Sequence, residues 1–332
     1  MIRRTLAALS VLLLYGYQPT TGQSTPNTTQ AHCAAAKAAA GTEHASLYAR
    51  FVDICSETPQ PARGQGAGRG GAQGPRQTPA RDTWYHEPAK VFDNLYFIGT
   101  QVHNAWALQT SDGLIIIDAL YDYATKDEMV DGLRKVGLNP ATMTYLIISH
   151  GHGDHHGGAK FLQDEFGPRV VMGGPDWDLV ERTTNTPPPK RDIIAADAQK
   201  VTLGDTTVTL YSTPGHTEGT FSMVIPVKDN GRPHLIATWG GTALTRATPA
   251  PSFKAYVDSA VKYRALLAKL GVEGIISNHS EFDNAVAKLD ALAARKPGDR
   301  HPFLAGPESV RRYMTVVEEI GRAGLALPKP AP

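Results

Sequence analysis

The stretch Ser149-His150-Gly151-His152-Gly153-Asp154-His155-His156-Gly157-Gly158 decides how this chain reads. It follows a continuous apolar run, residues 145–148, that predicts a buried strand, and it enters a short helix over 158–166. His150 and His152, two apart, can present both imidazoles to one ion from an extended turn. Asp154 and His155 then face a neighbouring position as the chain bends into the helix. Imidazole and carboxylate are ordinary zinc ligands, and a site that keeps an open position is catalytic rather than structural. Gly151 and Gly153 let the backbone bend tightly, and Gly157-Gly158 permits close approach of the helix start. The bland alternative is a chance cluster or an adventitious chelator on a surface loop. Two further histidines in matching contexts, His216 and His279, argue against it.

His-x-His-x-Asp-His on a strand-to-helix loop resembles the signature of the metallo-β-lactamase superfamily, and the resemblance covers most of residues 94 to 304. Asp118, closing Leu114-Ile115-Ile116-Ile117-Asp118, matches the first motif and is implied to support the metal loop from beneath. Thr213-Pro214-Gly215-His216-Thr217-Glu218-Gly219 matches the third motif. It implies that His216 joins His150 and His152 on a first zinc. Ser277-Asn278-His279 matches the last motif, which implies that His279 joins Asp154 and His155 on a second. The implied fold is α+β, a four-layer αββα sandwich with two Zn2+ at one edge of its sheets.

One departure narrows the resemblance. Glyoxalase-II-like thioesterases and lactonases of the superfamily carry a metal-bridging Asp in a Gly-Asp-x-Leu segment between the third and last motifs. Here Trp239-Gly240-Gly241-Thr242-Ala243-Leu244 occupies that stretch, with Gly241 where the Asp would stand. The remaining ligand pattern resembles the third (B3-like) subclass of metallo-β-lactamases. His279-Ser280-Glu281-Phe282-Asp283 and His301-Pro302-Phe303 resemble that subclass's C-terminal stretch.

The resemblance implies a zinc-dependent hydrolase acting on a small molecule. A hydroxide held by the zinc pair opens a cyclic amide of the β-lactam kind, while Asp154 orients it and carries its proton. A lactone, ester or thioester hydrolase is the alternative, and an iron oxidoreductase a more distant one. Gly-x-Ser-x-Gly is absent, which leaves a serine hydrolase without support. His156 reads as a supporting or exposed residue rather than a seventh ligand. His103 and Trp106 leave the early strands and could line the pocket floor, with core packing an equal alternative. Tyr256 and Tyr263 read as packing residues. The loops 183–191 and 244–251 could contact substrate.

Outward from the motif, apolar runs at 95–98, 105–109 and 114–117 predict strands with tight turns, followed by a helix over 125–136 and a strand over 170–172. In the second half 201–203, 207–211, 221–226 and 234–237 predict two hairpins, and 275–276 a last strand. Residues 252–270 predict a long amphipathic helix with Phe253, Val257, Ala260, Val261, Leu267 and Leu270 on its apolar side. Helices over 281–295 and 308–324 follow.

The 332 residues carry 33 Lys+Arg against 32 Asp+Glu, a formal charge of +1. That balance suggests neither a nucleic acid nor an anionic membrane as partner. The basic start and short apolar run of residues 1–22 suit an export signal, hence a periplasmic or secreted protein, and are too short to span a bilayer. A buried N-terminal helix is the alternative. No Cys directly follows that run, which argues against a lipid anchor, so no stable membrane anchor is expected. Residues 23–57 form an Ala-rich helical segment broken near Gly41-Thr42. Its Cys33 and Cys55 could pair in an oxidising compartment or stay as two free thiols. Residues 58–83, rich in Pro and Gly, read as a disordered linker. The catalytic domain is accordingly expected at 84–332.

Overall fold

The structure is a computed structural model, and it describes residues 27–56, 78–183 and 186–328. The expected signal, residues 1–22, and most of the expected linker lie outside them. Its centre is set by Leu114-Ile115-Ile116-Ile117. Successive side chains of a strand point to opposite faces. Leu114 and Ile116 therefore pack into one core while Ile115 and Ile117 pack into another. A strand apolar on both faces must be covered on both faces, and a layered architecture follows.

The first sheet contains β1 (Ala89–Lys90), β2 (Leu95–Phe97), β3 (Trp106–Thr110), β4 (Gly113–Ile117), β5 (Met143–Ile147), β6 (Arg169–Gly173) and β7 (Ile193–Ala195), side by side in that order. Pairing is antiparallel up to β4 and parallel from β4 to β7. The second sheet is β8 (Lys200–Leu203), β9 (Thr206–Ser212), β10 (Phe221–Asp229), β11 (Arg232–Thr238) and β12 (Gly274–Ile276). Only its β11–β12 pairing is parallel. The β10–β11 turn at Asn230-Gly231 has positive φ at both residues, 51° and 76°, as a tight hairpin with right-handed strand twist requires.

Between the sheets lie Phe97, Trp106, Ile115, Ile117 and Ile147 from one side and Leu210, Met223, Ile225 and Ile236 from the other. Ala159–Phe166 and Gly174–Arg182, with the helical run 122–135, cover the outer face of the first sheet. Thr29–Ala40, Ala250–Leu270 and Pro307–Leu325 cover that of the second. This is the four-layer αββα sandwich expected from the motifs.

Some elements differ from the sequence reading. Ala250–Leu270 buries Phe253, Tyr256, Val257, Ala260, Tyr263 and Leu267, whereas Val261 and Leu270 are exposed. Steps of i+4 from Val257 and i+3 from Leu267 do reach these two positions, but they fall at the margin of the stripe and face solvent. The helix expected over 281–295 breaks at Asn284, which takes a left-handed φ of 58° between Ser280–Asp283 and Ala285–Ala293. Residues 78–83, read from composition as linker, carry the turn Arg81–Thr83, and Pro79 O accepts the Trp84 indole N–H.

Cys33 and Cys55 are joined in a disulfide. The segment they close packs on the last helix. Ala36, Ala40, Leu47, Phe51 and Ile54 are buried beside Val310, Tyr313, Met314 and Val317. Arg312 donates to Ala39 O and Ala40 O, and Thr29 Oγ1 donates to Ala323 O.

Glu128 is buried in the helical run 122–135, with one carboxyl oxygen accepting the His86 N–H at 2.9 Å and the other lacking a partner among the described residues. Burial pushes its carboxyl up to about 8 from 4.5. The folded state then keeps a proton that the unfolded chain releases, so stability falls as pH rises from 4.5 towards 8. Glu128→Gln is expected to leave the melting temperature unchanged near pH 4. Above pH 8 it should raise stability by on the order of 3 kcal/mol, about 5 °C or more. Thermal melts across this range check it; equal shifts at both ends would sink the assignment.

Candidate metal centre

The candidate side chains all leave the C-terminal ends of strands: Asp118 after β4, residues 150–155 after β5, His216 after β9 and His279 after β12. Asp118 turns the chain at a left-handed φ of 61°, which Asp tolerates better than most residues. That turn sets its buried carboxylate under the next loop. Oδ1 accepts the Ser149 N–H at 2.7 Å, and Oδ2 accepts the Ser149 hydroxyl at 2.9 Å and His155 Nδ1–H at 3.0 Å. Gly158 shows why small residues follow the histidines. A Cβ there would lie 2.0 Å from Thr125 Oγ1.

His150, His152 and His216 converge. His216 Nε2 lies 3.1 Å from His150 Nε2 and 3.0 Å from His152 Nδ1. The tautomers of two are fixed from behind, since His150 Nδ1 donates to Gly240 O at 2.8 Å and His216 Nδ1 to Ala243 O at 2.6 Å. Their Nε2 lone pairs therefore face one another, an arrangement that calls for a cation between them. Two nitrogens on one tetrahedral zinc, each at 2.0–2.1 Å, stand about 3.3 Å apart. The observed spacings fit that ion.

A second group adjoins the first. Asp154 Oδ2 lies 3.3 Å from both His155 Nε2 and His279 Nε2, which are themselves 3.2 Å apart. The rings of His150 and His155 are 4.2 Å apart between centroids, so the two groups share a wall. All six expected side chains thus meet in one place, across chain separations of up to 129 positions.

Electrostatics separate the groups. Burial holds His150 well below its usual range, helped by the neighbouring imidazoles, and burial with His152 beside it takes His216 down to about 3. Burial lowers His152 as well. His155 goes the other way. Burial opposes its protonation, but the carboxylates of Asp154 and Asp118 push it up to about 10.

Of the remaining candidates, His156 is fully buried, with Nδ1 donating to His152 O at 2.9 Å and Nε2 unpartnered among the described residues. It stands in neither group. Trp106 packs between Phe97 and Phe303 beneath the metal loop and donates to Ser277 O, outside the cavity that opens beside the histidines. Tyr256 and Tyr263 are buried and donate to the Thr242 and Met223 carbonyls. His103 does reach the site, its Nε2 3.6 Å from Asp154 Oδ2.

The sequence reading missed Asp176. Its buried carboxylate accepts the Gly151 N–H at 2.7 Å, the Thr217 hydroxyl at 2.7 Å and the Gly219 N–H at 3.0 Å, tying the β5 loop to the His216 loop. The available signal was Gly174-Pro175-Asp176, a helix start with Pro in its first turn. Asn278 was also missed; its Nδ2 donates to Gly240 O, the same carbonyl that orients His150. Gly241 has no room for a side chain, since a Cβ would fall 2.6 Å from His216 Cβ. Beside the histidines opens a cavity of about 490 Å3, walled by His152, His216, Pro175, Leu179, Ala255 and Arg182.

A family model described as the metallo-beta-lactamase superfamily matches residues 98–229. The chain carries a metallo-β-lactamase superfamily domain. The solved structure of BJP-1, a subclass B3 metallo-β-lactamase of Bradyrhizobium japonicum, is similar at 28% identity and a TM-score of 0.60, over 70% of this chain and 91% of that one. FEZ-1 of Legionella gormanii, at 20% identity and a TM-score of 0.62, shares the fold over 69% of this chain and 92% of its own. Among curated relatives, a hydroxyacylglutathione hydrolase of Acidiphilium cryptum is 27% identical over 46% of this chain and 60% of that protein. A type 2 metallo-β-lactamase of Bacillus cereus is 29% identical over 40% and 50%. The chain thus spans 60% or less of the length of either curated relative. In this metallo-β-lactamase domain the two histidine groups sit at the sheet edge where the strands end.

Proposed function

We propose that this chain is an exported di-zinc hydrolase whose substrate is a β-lactam. His150, His152 and His216 would hold one ion, and Asp154, His155 and His279 the other. The observation that carries the reading is the pair of adjoining donor groups with ligand-atom spacings of 3.0 to 3.3 Å. When bound, zinc supplies Lewis acidity and lowers the pKa of a water towards neutrality. The chain's residues do the rest. Asp154 accepts the proton of the attacking water at its carboxylate and passes it to the leaving nitrogen. Asp118 and the carbonyls of Gly240 and Ala243 keep the imidazoles in the tautomers that turn lone pairs inward. Leu179, Pro175 and Ala255 give the substrate an apolar wall.

Arg182 is exposed at the rim of the cavity and makes no ion pair among the described residues. The carboxylate that a β-lactam carries would meet it there. Arg182→Ala is expected to raise KM for anionic substrates about tenfold with kcat little changed. Steady-state kinetics check this, and an unaltered KM removes Arg182 from the reading.

A thioester hydrolase is the second reading, favoured by the similarity to a hydroxyacylglutathione hydrolase. Gly241 weighs against it, because no bridging carboxylate fits beside His216. The deciding experiment measures zinc content and parallel turnover of nitrocefin, an acyl-lactone and an acylglutathione thioester, with His152→Ala as control. Nitrocefin turnover lost in the control supports the proposal. Thioester turnover alone supports the alternative, and iron in place of zinc overturns both. The basic-apolar start of the chain supports export to the periplasm or medium.

A further inference from the structure

We propose that His103 is a fourth protein ligand of the second zinc, joining Asp154, His155 and His279. The inference rests on the di-zinc reading and adds a donor that the three motif residues do not include.

The placement of His103 is built into the backbone. Its loop is stitched to the last-motif loop: Asn104 N donates to Asn278 O at 2.9 Å, Ser280 N donates to Val102 O at 2.8 Å, and His103 itself pairs with His279 as an isolated antiparallel bridge. Side chains reinforce the seam. Asn104 Nδ2 donates to Ser277 O, and the Ser280 hydroxyl donates to Asn104 Oδ1 at 2.6 Å. The Thr100 hydroxyl oxygen accepts the His103 N–H at 2.8 Å, which fixes the turn from below. So much bonding on one short loop leaves His103 little choice of position.

The ring is aimed at the second group. Nε2 lies 3.6 Å from Asp154 Oδ2, only 0.3 Å longer than the 3.3 Å by which His155 and His279 approach the same oxygen. His103, Asp154 and His279 each offer one donor atom, and the three atoms lie within 4.8 Å of one another. The ring stands edge-on to Tyr121 and to His279, with centroids 5.0 and 4.9 Å away. Nε2 stands within ion-pair distance of Asp154, and the side chain is only 18% exposed. A mostly buried imidazole pointed at a carboxylate that itself faces two imidazoles is a donor placed for a cation. Four protein donors close a zinc shell, whereas three leave it open. The second ion would then be the more firmly held, and the open position would belong to the His150/His152/His216 side that borders the cavity.

The test titrates the metal-free full chain with Zn2+ against a chromophoric chelator, for wild type, His103→Phe and His103→Ala. Phenylalanine keeps the ring packed between Tyr121 and His279 and removes only the nitrogens. Wild type is expected to take two equivalents, the tighter at the Asp154/His155/His279 group, and that tight site should weaken about a hundredfold in both variants. The visible spectrum of the Co2+-loaded protein should change in step. Circular dichroism and melting of the metal-free forms should match wild type for His103→Phe. If His103→Phe binds both equivalents with wild-type affinity and an unchanged cobalt spectrum, His103 is a packing residue and the proposal fails. A wild type that binds no zinc would instead overturn the di-zinc reading on which it rests.

Discussion

Asp154→Asn is expected to lower kcat/KM on the best substrate by about a thousandfold, on the order of 4 kcal/mol of transition-state stabilisation, and to leave one of two zinc equivalents bound. The substitution preserves shape and removes charge. Asp154 Oδ2 is the point on which His155 and His279 both converge at 3.3 Å, and among the described residues no other carboxylate pairs with His279. An amide oxygen there is a weaker donor to a cation and cannot accept the proton of an attacking water. The His150/His152/His216 group does not depend on it, since its rings are oriented by the Gly240 and Ala243 carbonyls. Metal analysis alongside steady-state kinetics checks both halves. Two retained equivalents with activity within tenfold of wild type would remove Asp154 from the chemistry.

Asp118→Asn should act through structure and through metal together. The carboxylate accepts three hydrogen bonds, from the Ser149 N–H, the Ser149 hydroxyl and His155 Nδ1. An amide replaces one acceptor with a donor, so one of these buried donors meets another. The expected cost is about 3 kcal/mol of stability in the metal-free protein. His155 also loses the partner that fixes its tautomer, which should weaken zinc at the second group by about 10- to 100-fold. Chemical denaturation and zinc competition measure the two effects separately. A variant as stable as wild type with unchanged zinc affinity would mean that the carboxylate is dispensable.

How much of this was legible in the sequence follows from the range over which each feature acts. His150 to His155 lie within six residues on one loop, and His216 and His279 each sit in a short segment that ends a strand, so local pattern was enough to find them. Asp176 was invisible for the opposite reason. Its neighbours Gly151 and Gly219 lie 25 and 43 positions away, and nothing in Gly-Pro-Asp announces that the carboxylate will cross to them. His103 was noticed only as a pocket candidate, because its approach to Asp154 depends on pairing between loops 176 positions apart. The strands β1 and β7 are two and three residues long and lie at the sheet edges, too short for alternation to register. The break at Asn284 depended on one residue taking a left-handed turn inside a segment of good helical spacing. Tyr256 and Tyr263 were read as packing residues yet left off the buried face of their helix, because a hydropathy stripe undervalues a tyrosine whose hydroxyl finds a carbonyl indoors.

Thr29–Ala40 lies against Pro307–Leu325. Because Thr29–Ala40 and its cystine loop roof over Val310, Tyr313, Met314 and Val317, these two segments close on each other like a buckle. A shortened protein beginning at Thr78 would keep every histidine of the metal centre and still uncover a greasy strip along its final helix. Sticking and precipitation, rather than lost chemistry, would be its failing. Thiol reductants should have a milder form of the same effect, since opening a loop of this length releases about 3 kcal/mol of restraint on the unstructured chain. The histidines could then stay in place while the molecule as a whole grows less durable.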